Sequence, residues 1–263
     1  MNYEHLSVSS PAGNIVQVQL NRPRQMNSLN LQTIQELKHM LEEFENSEQE
    51  FLILTGSGRA FCFGADFQEF QNREALPALL ALFQELIVRF YHSPKITVAA
   101  LNGFATGAGL DLALACDFRI AAEKVKLGEA YISMGLVPDG GGSFLLPQFI
   151  GVGRALEMLI KGEAIVAEEA FRIGLVHRIC PAAELLQTAL QYALDLSAKP
   201  KKARQWIKDL VKNPSASLQQ ALQRERVAQL TCFDDPEHLR LAEEFLKKRR
   251  KENAAGSPTK LEN

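Results

Sequence analysis

An excess of charge of one sign, long apolar runs and paired cysteines are all missing from this sequence, and each absence removes a class of protein. Lysine and arginine total 29 against 31 aspartates and glutamates, a formal charge of −2. No global field therefore draws the chain to nucleic acid or to an anionic membrane, and neither is expected as a partner. Any anion it binds has to be met by local groups. No apolar stretch approaches the roughly 20 residues that span a bilayer. The opening MNYEHLSVSSPAGN has neither an apolar signal core nor an Arg-rich transit pattern, and the closing Leu261-Glu262-Asn263 is not a peroxisomal address. Cys62, Cys116, Cys180 and Cys232 form no CxxC pair and have no metal-ligand spacing with the five histidines. A reduced, cytoplasmic setting without a bound metal is expected.

What is present is a large apolar fraction, 46%, ample for a continuous core. IVQVQL at 15–20 alternates with period two and reads as a strand with one wet face. Leu31, Ile34, Leu37, Leu41 and Phe44 recur at helical spacing behind Asn30, a good N-cap. FLIL at 51–54, ending in TGSG, reads as a strand buried on both faces. A helix over 77–91, a strand over 96–101, a helix over 107–115 and short strands over 118–122 and 125–127 follow. Strand and helix alternating in this way predict an α/β fold. From about Ala183 the pattern is only helical, broken at Pro200, Pro214 and Pro236. We expect a core over 1–195, a helical region over 196–250 and a mobile polar tail over 251–263.

Two glycine-containing stretches lie just past buried strands. In GSGRAFCFGAD, small residues at Gly64 and Ala65 let a ligand approach the backbone with N–H groups free to donate. In NGFATGAGLD, Gly107 and Ala108 open a helix, whose unpaired N–H groups and positive dipole end favour an anion or a developing oxyanion. Close helix packing explains the same glycines equally well. A dinucleotide fingerprint fails at its third position, where Leu112 stands, and GK[ST] is absent. A third stretch, MGLVPDGGGS, contains Asp139. Pro-Asp-Gly-Gly is good turn chemistry without any function, and a carboxylate held there also suits a catalytic base.

Taken in order, NRPRQMNSL, RAFCFGADFQEF, ALNGFATGAGLDLALACDFRIAAE, LGEAYISMGLVPDGGGS and AFRIGLVHRI closely resemble the crotonase family, the enoyl-CoA hydratase/isomerase superfamily, over about residues 5 to 185. The resemblance implies a spiral of ββα repeats, a helical C-terminal region that assembles trimers or dimers of trimers, and an acyl-CoA thioester substrate, with coenzyme A as part of the substrate and no separate cofactor. It places the oxyanion hole on the N–H groups of Ala65 and Ala108. It places adenine and pantetheine against Arg24 to Met26 and Ala60 to Phe67, including Phe61, Phe63 and Gly64, with Gly107 in the second oxyanion loop. Asp66 is read as a structural carboxylate that holds its loop by hydrogen bonds to backbone N–H groups.

Hydratases of this family use two glutamates that flank the substrate, and those positions hold Asp111 and Tyr131 here. Tyrosine, with a pKa of about 10, is a poor base at neutral pH. Members that shift double bonds, among them the epoxyphenylacetyl-CoA isomerases of phenylacetate breakdown, carry an acid at the place of Asp139, and GLVPDGGGSFLLP looks most like those. The resemblance thus favours an isomerase with Asp139 as base, its pKa raised by a dry wall of Phe63, Tyr131, Met134 and Leu136. Asp111 is a candidate second acid or water holder. The alternatives are hydration through Asp111, nucleophilic attack by Asp139 as in related aryl-CoA dehalogenases, and a catalytically silent CoA-binding scaffold. His92 and His177 are read as structural. The basic run Lys247 to Lys251 is read as a solvated helix end.

Overall fold

The computed structural model describes residues 3–70, 72 and 74–255, and of residues 246 and 248–255 the backbone alone. β1 (Leu6–Ala12) and β2 (Ile15–Leu20) form an antiparallel hairpin. In β2 Ile15, Val18 and Leu20 are buried and the glutamines between them are not, as the alternation requires. Helix α1 (Leu31–Glu45) crosses back so that β3 (Phe51–Gly56) lies parallel to β2. Asn30 caps α1 by accepting from the Thr33 N–H at 3.0 Å. Every residue of β3 is buried, which is why its sequence has no alternation.

From β3 the chain repeats one unit of two strands and a helix. β3 leads to β4 (Ala60–Cys62), α2 (Phe67–Phe70) and α3 (Leu76–His92). β5 (Ile96–Leu101) leads to β6 (Phe104–Thr106) and α4 (Ala108–Ala115). β7 (Phe118–Ala122) leads to β8 (Lys126–Gly128), a 3₁₀ turn at Ala130–Met134 and α5 (Gly142–Ile150). Then come α6 (Val152–Lys161), β9 (Ile165–Val166), α7 (Ala167–Arg172), β10 (Arg178–Cys180) and α8 (Leu185–Ser197). The first strand of each repeat joins a six-stranded sheet of order β1-β2-β3-β5-β7-β10, and the second joins a four-stranded sheet of order β4-β6-β8-β9. Strands within each repeat thus belong to different sheets, and the chain advances as a spiral of ββα turns.

This spiral stacks the loops that follow β4, β6 and β8, because those strands are neighbours in one sheet. Helix α4 is wholly buried and is held at its carbonyl end by Arg119. The Arg119 guanidinium donates to the carbonyls of Leu175 at 2.7 Å and Cys116 at 3.0 Å and lies 4.1 Å over the Phe149 ring. A buried cation is tolerated there because helix-terminal carbonyls supply the negative partner. Burial still lowers its pKa to about 10.

The chain divides into two compact units, Met1–Leu196 and Ser197–Asn263. The second contains α9 (Lys201–Lys212), α10 (Leu218–Phe233) and α11 (Pro236–Ala255). Ser217 caps α10 by accepting from Gln220 N–H at 3.3 Å. The tail expected from residue 251 is helical as far as Ala255, since KENAA carries no breaker and continues α11. Residues 256–263 of that tail, and the side chains of the basic run beyond Lys247, lie outside the described residues.

Candidate active site

Residues 64–66 and 107–109 sit side by side at the ends of β4 and β6. Gly64 has φ +98, a left-handed conformation that glycine alone adopts without strain. A Cβ there would stand 3.1 Å from the Thr106 carbonyl and 4.0 Å from the Ala108 nitrogen, so the bare glycine lets the two loops touch. Ala65 forms a parallel bridge with Leu29, in which Leu29 N–H donates to Gly64 O and Asp66 N–H donates to Leu29 O, each at 2.8 Å. In that pattern the Ala65 N–H points away from Leu29. Ala108 is the first residue of α4, so its N–H has no intrahelical acceptor. Both donors predicted from the sequence are thus available, one of them at the positive end of a helix.

Beside them lies a chain of acids. A Cβ on Gly107 would be 3.6 Å from Cζ of Tyr131, which puts the tyrosine ring over the turn that opens α4. The Tyr131 hydroxyl is 2.6 Å from Asp111 Oδ2 and 2.9 Å from Asp139 Oδ1. The turn carrying Asp139 is tied down by its backbone, whose carbonyl accepts from Gln84 Nε2 at 3.0 Å. Its carboxyl group is left to face Tyr131. One hydroxyl proton serves one acceptor, so both contacts are good only when one of the two carboxyl groups is protonated.

Burial decides which. Asp111 is fully buried, and burial lifts its pKa from 3.8 to about 7, with the Tyr131 hydrogen bond pulling down, Asp139 pushing up, and the N–H groups of Gly140 and Gly142 pulling down. Asp139 is only half buried; burial raises its pKa too, opposed by the Tyr131 hydrogen bond and its own backbone N–H. Burial and the neighbouring acids keep the Tyr131 phenol protonated. Below about pH 7 Asp111 holds a proton, which leaves the Tyr131 hydroxyl to donate to Asp139, the less buried end of the chain.

The other expected contacts divide. Arg24 and Phe67 are exposed and Met26 is half buried with φ 52, its carbonyl accepting from the Phe63 N–H at 3.1 Å. Ala60 and Phe61, on β4 at the edge of the four-stranded sheet, are fully buried core residues, so their side chains are not available to a ligand. Phe63, Met134 and Leu136 are 48%, 56% and 56% exposed. They do not enclose Asp139 as the sequence suggested, since the end of the 3₁₀ turn, with Met134, and the segment just after it, with Leu136, lie on the surface. A buried aromatic that the sequence gave no reason to choose, Phe83, packs against Gly140 instead. Asp66 pairs with Arg22 at 3.0 Å and accepts from the Gln68 N–H at 3.3 Å, which holds its loop. His177 accepts from the Arg119 N–H at 3.1 Å, and burial lowers its pKa to about 4.

Two further residues were passed over by motif reading. Asn27 is buried with φ 57; its side chain donates to the carbonyls of Ser57 and Ala60, each at 2.8 Å, and accepts from Arg22 N–H at 2.9 Å. Glu129 is fully buried beside Asp111. An isolated glutamate ahead of a surface turn carries no periodic signal. Among the described residues no group of His, Cys, Asp and Glu is arranged to hold a metal, and no helix is long and apolar enough to cross a membrane.

Comparison with known proteins agrees with this architecture. A family model described as Enoyl-CoA hydratase/isomerase matches residues 11–252. The short-chain-enoyl-CoA hydratase of Clostridium acetobutylicum is 31% identical over 90% of this chain and 93% of its own. The crotonyl-CoA hydratase of Syntrophomonas wolfei is 42% identical over a shorter stretch, 64% of this chain and 66% of that protein, just under two thirds of its length. Among solved structures, the enoyl-CoA hydratase of Bacillus anthracis superposes with a TM-score of 0.89 at 34% identity, covering 93% of this chain and 97% of that one. The likeness spans both the spiral and the helices after it, and with it the chain belongs to the enoyl-CoA hydratase/isomerase family.

Proposed function

We propose that the protein moves a double bond in an unsaturated acyl-CoA, with Asp139 as the single base. The thioester oxygen sits between the N–H groups of Ala65 and Ala108, which hold the negative charge as it develops. Asp139 Oδ takes a proton from C2, the electron pair spreads into a dienolate, and Asp139 returns the proton to C4. One carboxylate suffices, because the proton removed and the proton delivered are handled on one face.

The observation that carries this reading is the hydroxyl of Tyr131 set between Asp111 and Asp139. Hydration by two flanking carboxylates requires both to reach water. Here both are tied to the tyrosine, but Asp111 is fully buried and Asp139 only half buried. The exposed Arg24 and the half-buried Met26, with Gly64, Phe63 and Phe67, supply the surface for the CoA portion.

Hydration is the second reading, favoured by the names of the relatives and by the proximity of two acids to one site. Incubating a 3-enoyl-CoA in deuterated water separates the two. Isomerisation gives the 2-enoyl-CoA with any deuterium at C4. Hydration leaves the 3-enoyl-CoA unchanged and adds water across a 2-enoyl-CoA, with deuterium at C2.

Assembly as a trimer or a dimer of trimers belongs to the same proposal. In the helical unit Ile207, Val211, Leu222 and Leu230 are each more than half exposed, an apolar surface of the kind that subunits cover. The mass in solution tests it.

A further inference from the structure

At the site, Asp111 Oδ1, Glu129 Oε1 and Glu129 Oε2 are buried without a hydrogen-bond partner. Two of them face the same point. A Cβ on Gly142 would lie 2.7 Å from Asp111 Oδ1 and 3.2 Å from Glu129 Oε1. Ionised carboxylates only accept, so with both acids ionised these three oxygens have no donor between them, which is costly for buried charge. A proton on Glu129 turns it into the missing donor, and a single contact then partners Asp111 Oδ1 and one of the two Glu129 oxygens.

We propose that Glu129 is a positioning residue: it donates its proton to Asp111 Oδ1, directly or through one water, and thereby fixes the Asp111 proton on Oδ2, where it faces Tyr131. The chain then runs in one direction, from Glu129 to Asp111, from Asp111 to the Tyr131 oxygen, and from the Tyr131 hydroxyl to the ionised Asp139. Glu129 does not touch substrate in this arrangement. It acts by deciding which oxygen of Asp111 is the donor, and so whether the tyrosine proton is free for Asp139.

The surroundings of Glu129 support its neutral form. Burial, then Asp111 on α4 and Asp139 in the loop before α5, push its pKa well above the ordinary value. Tyr131 faces both aspartates from the turn that follows Glu129, and no cation opposes these effects among the described residues. The inference concerns the same site as the proposed isomerisation and does not depend on which reaction occurs there.

The test therefore begins without substrate. Infrared spectra of the full chain at neutral pH, with the Asp and Glu carboxyl carbons isotopically labelled in turn, should show protonated-carboxyl bands from both Glu129 and Asp111. Glu129→Gln should remove the glutamate band and leave the Asp111 band in place, because the amide still donates. Glu129→Leu should also remove it and shift the Asp111 band to higher frequency, because Oδ1 has lost its donor. Circular dichroism establishes that each variant is folded, and if the leucine variant is not, the wild-type and glutamine spectra decide alone. Absence of a buried glutamic acid band at neutral pH, or an Asp111 band that shifts in Glu129→Gln as much as in a folded Glu129→Leu, overturns the proposal. In turnover, Glu129→Leu should lower kcat at least tenfold with KM unchanged, and Glu129→Gln should recover most of it. Spectra as expected with no isomerisation by the wild type would sink the functional reading and leave the relay standing.

Discussion

The Tyr131 hydroxyl stands 2.9 Å from Asp139 Oδ1, close enough for a phenol that never ionises to stabilise a carboxylate that has to. A base in a half-buried site needs a raised pKa to accept a proton and a donor to keep it ionised until then. Burial supplies the first and Tyr131 the second.

Replacing Tyr131 by Phe should therefore push the Asp139 pKa higher still. Because only ionised Asp139 works as a base, the acidic limb of the kcat/KM profile moves to higher pH. A hydrogen bond to a charged group is worth about 1.5 to 3 kcal/mol, so the loss at neutral pH should be roughly tenfold to a hundredfold. A profile that keeps its acidic limb in place would separate Tyr131 from the base.

Asp111 makes stability depend on pH. Its carboxyl is at 3.8 when unperturbed and at about 7 in the folded chain. Between those values the folded chain holds a proton that the unfolded chain has released, so stability falls as pH rises through this window. Glu129 contributes with the same sign. Urea unfolding should show the wild type less stable at pH 8.5 than at pH 5, by about 1 to 3 kcal/mol. Asp111→Asn should flatten that difference.

Ala108→Pro tests one oxyanion donor with little cost to the fold. Proline is tolerated at the first position of a helix, where its N–H would have no partner. Thermal unfolding should stay within a few degrees while kcat falls by about 10² to 10³, the usual loss for one such donor. An unchanged kcat would move the oxyanion elsewhere.

Asn27 should prove structural. Its three hydrogen bonds tie the 3₁₀ turn at Pro23–Gln25 to the loops around β4. Asn27→Ala leaves the Ser57 and Ala60 carbonyls without that donor and should cost on the order of 2 to 3 kcal/mol in urea unfolding.

Long elements were legible in the sequence because burial sets their period. The strand over Ile96–Leu101 and the helix over Leu31–Glu45 lie where the apolar spacing put them. β4, β6 and β9 are two or three residues long, too short to carry a period, and their pairing is set by the spiral. At the site, the glycines and Asp139 were legible because turn chemistry marks them. Glu129 and Asn27 were not, since a buried polar residue is identified by partners that are remote in the chain, such as Asp111 and Ala60. Met134 and Leu136 were misplaced for the same reason: an apolar stretch does not say which side of it faces the protein.

The central claim is that Asp139 is the base, and the most direct test is kcat/KM for a 3-enoyl-CoA with the wild type and with Asp139→Asn. The wild type should form the 2-enoyl-CoA, and the variant, isosteric and still able to bond Tyr131, should lose about 10² to 10⁴-fold with little change in KM. Equal turnover by the two proteins would contradict the account and return Asp139 to the role of a turn residue.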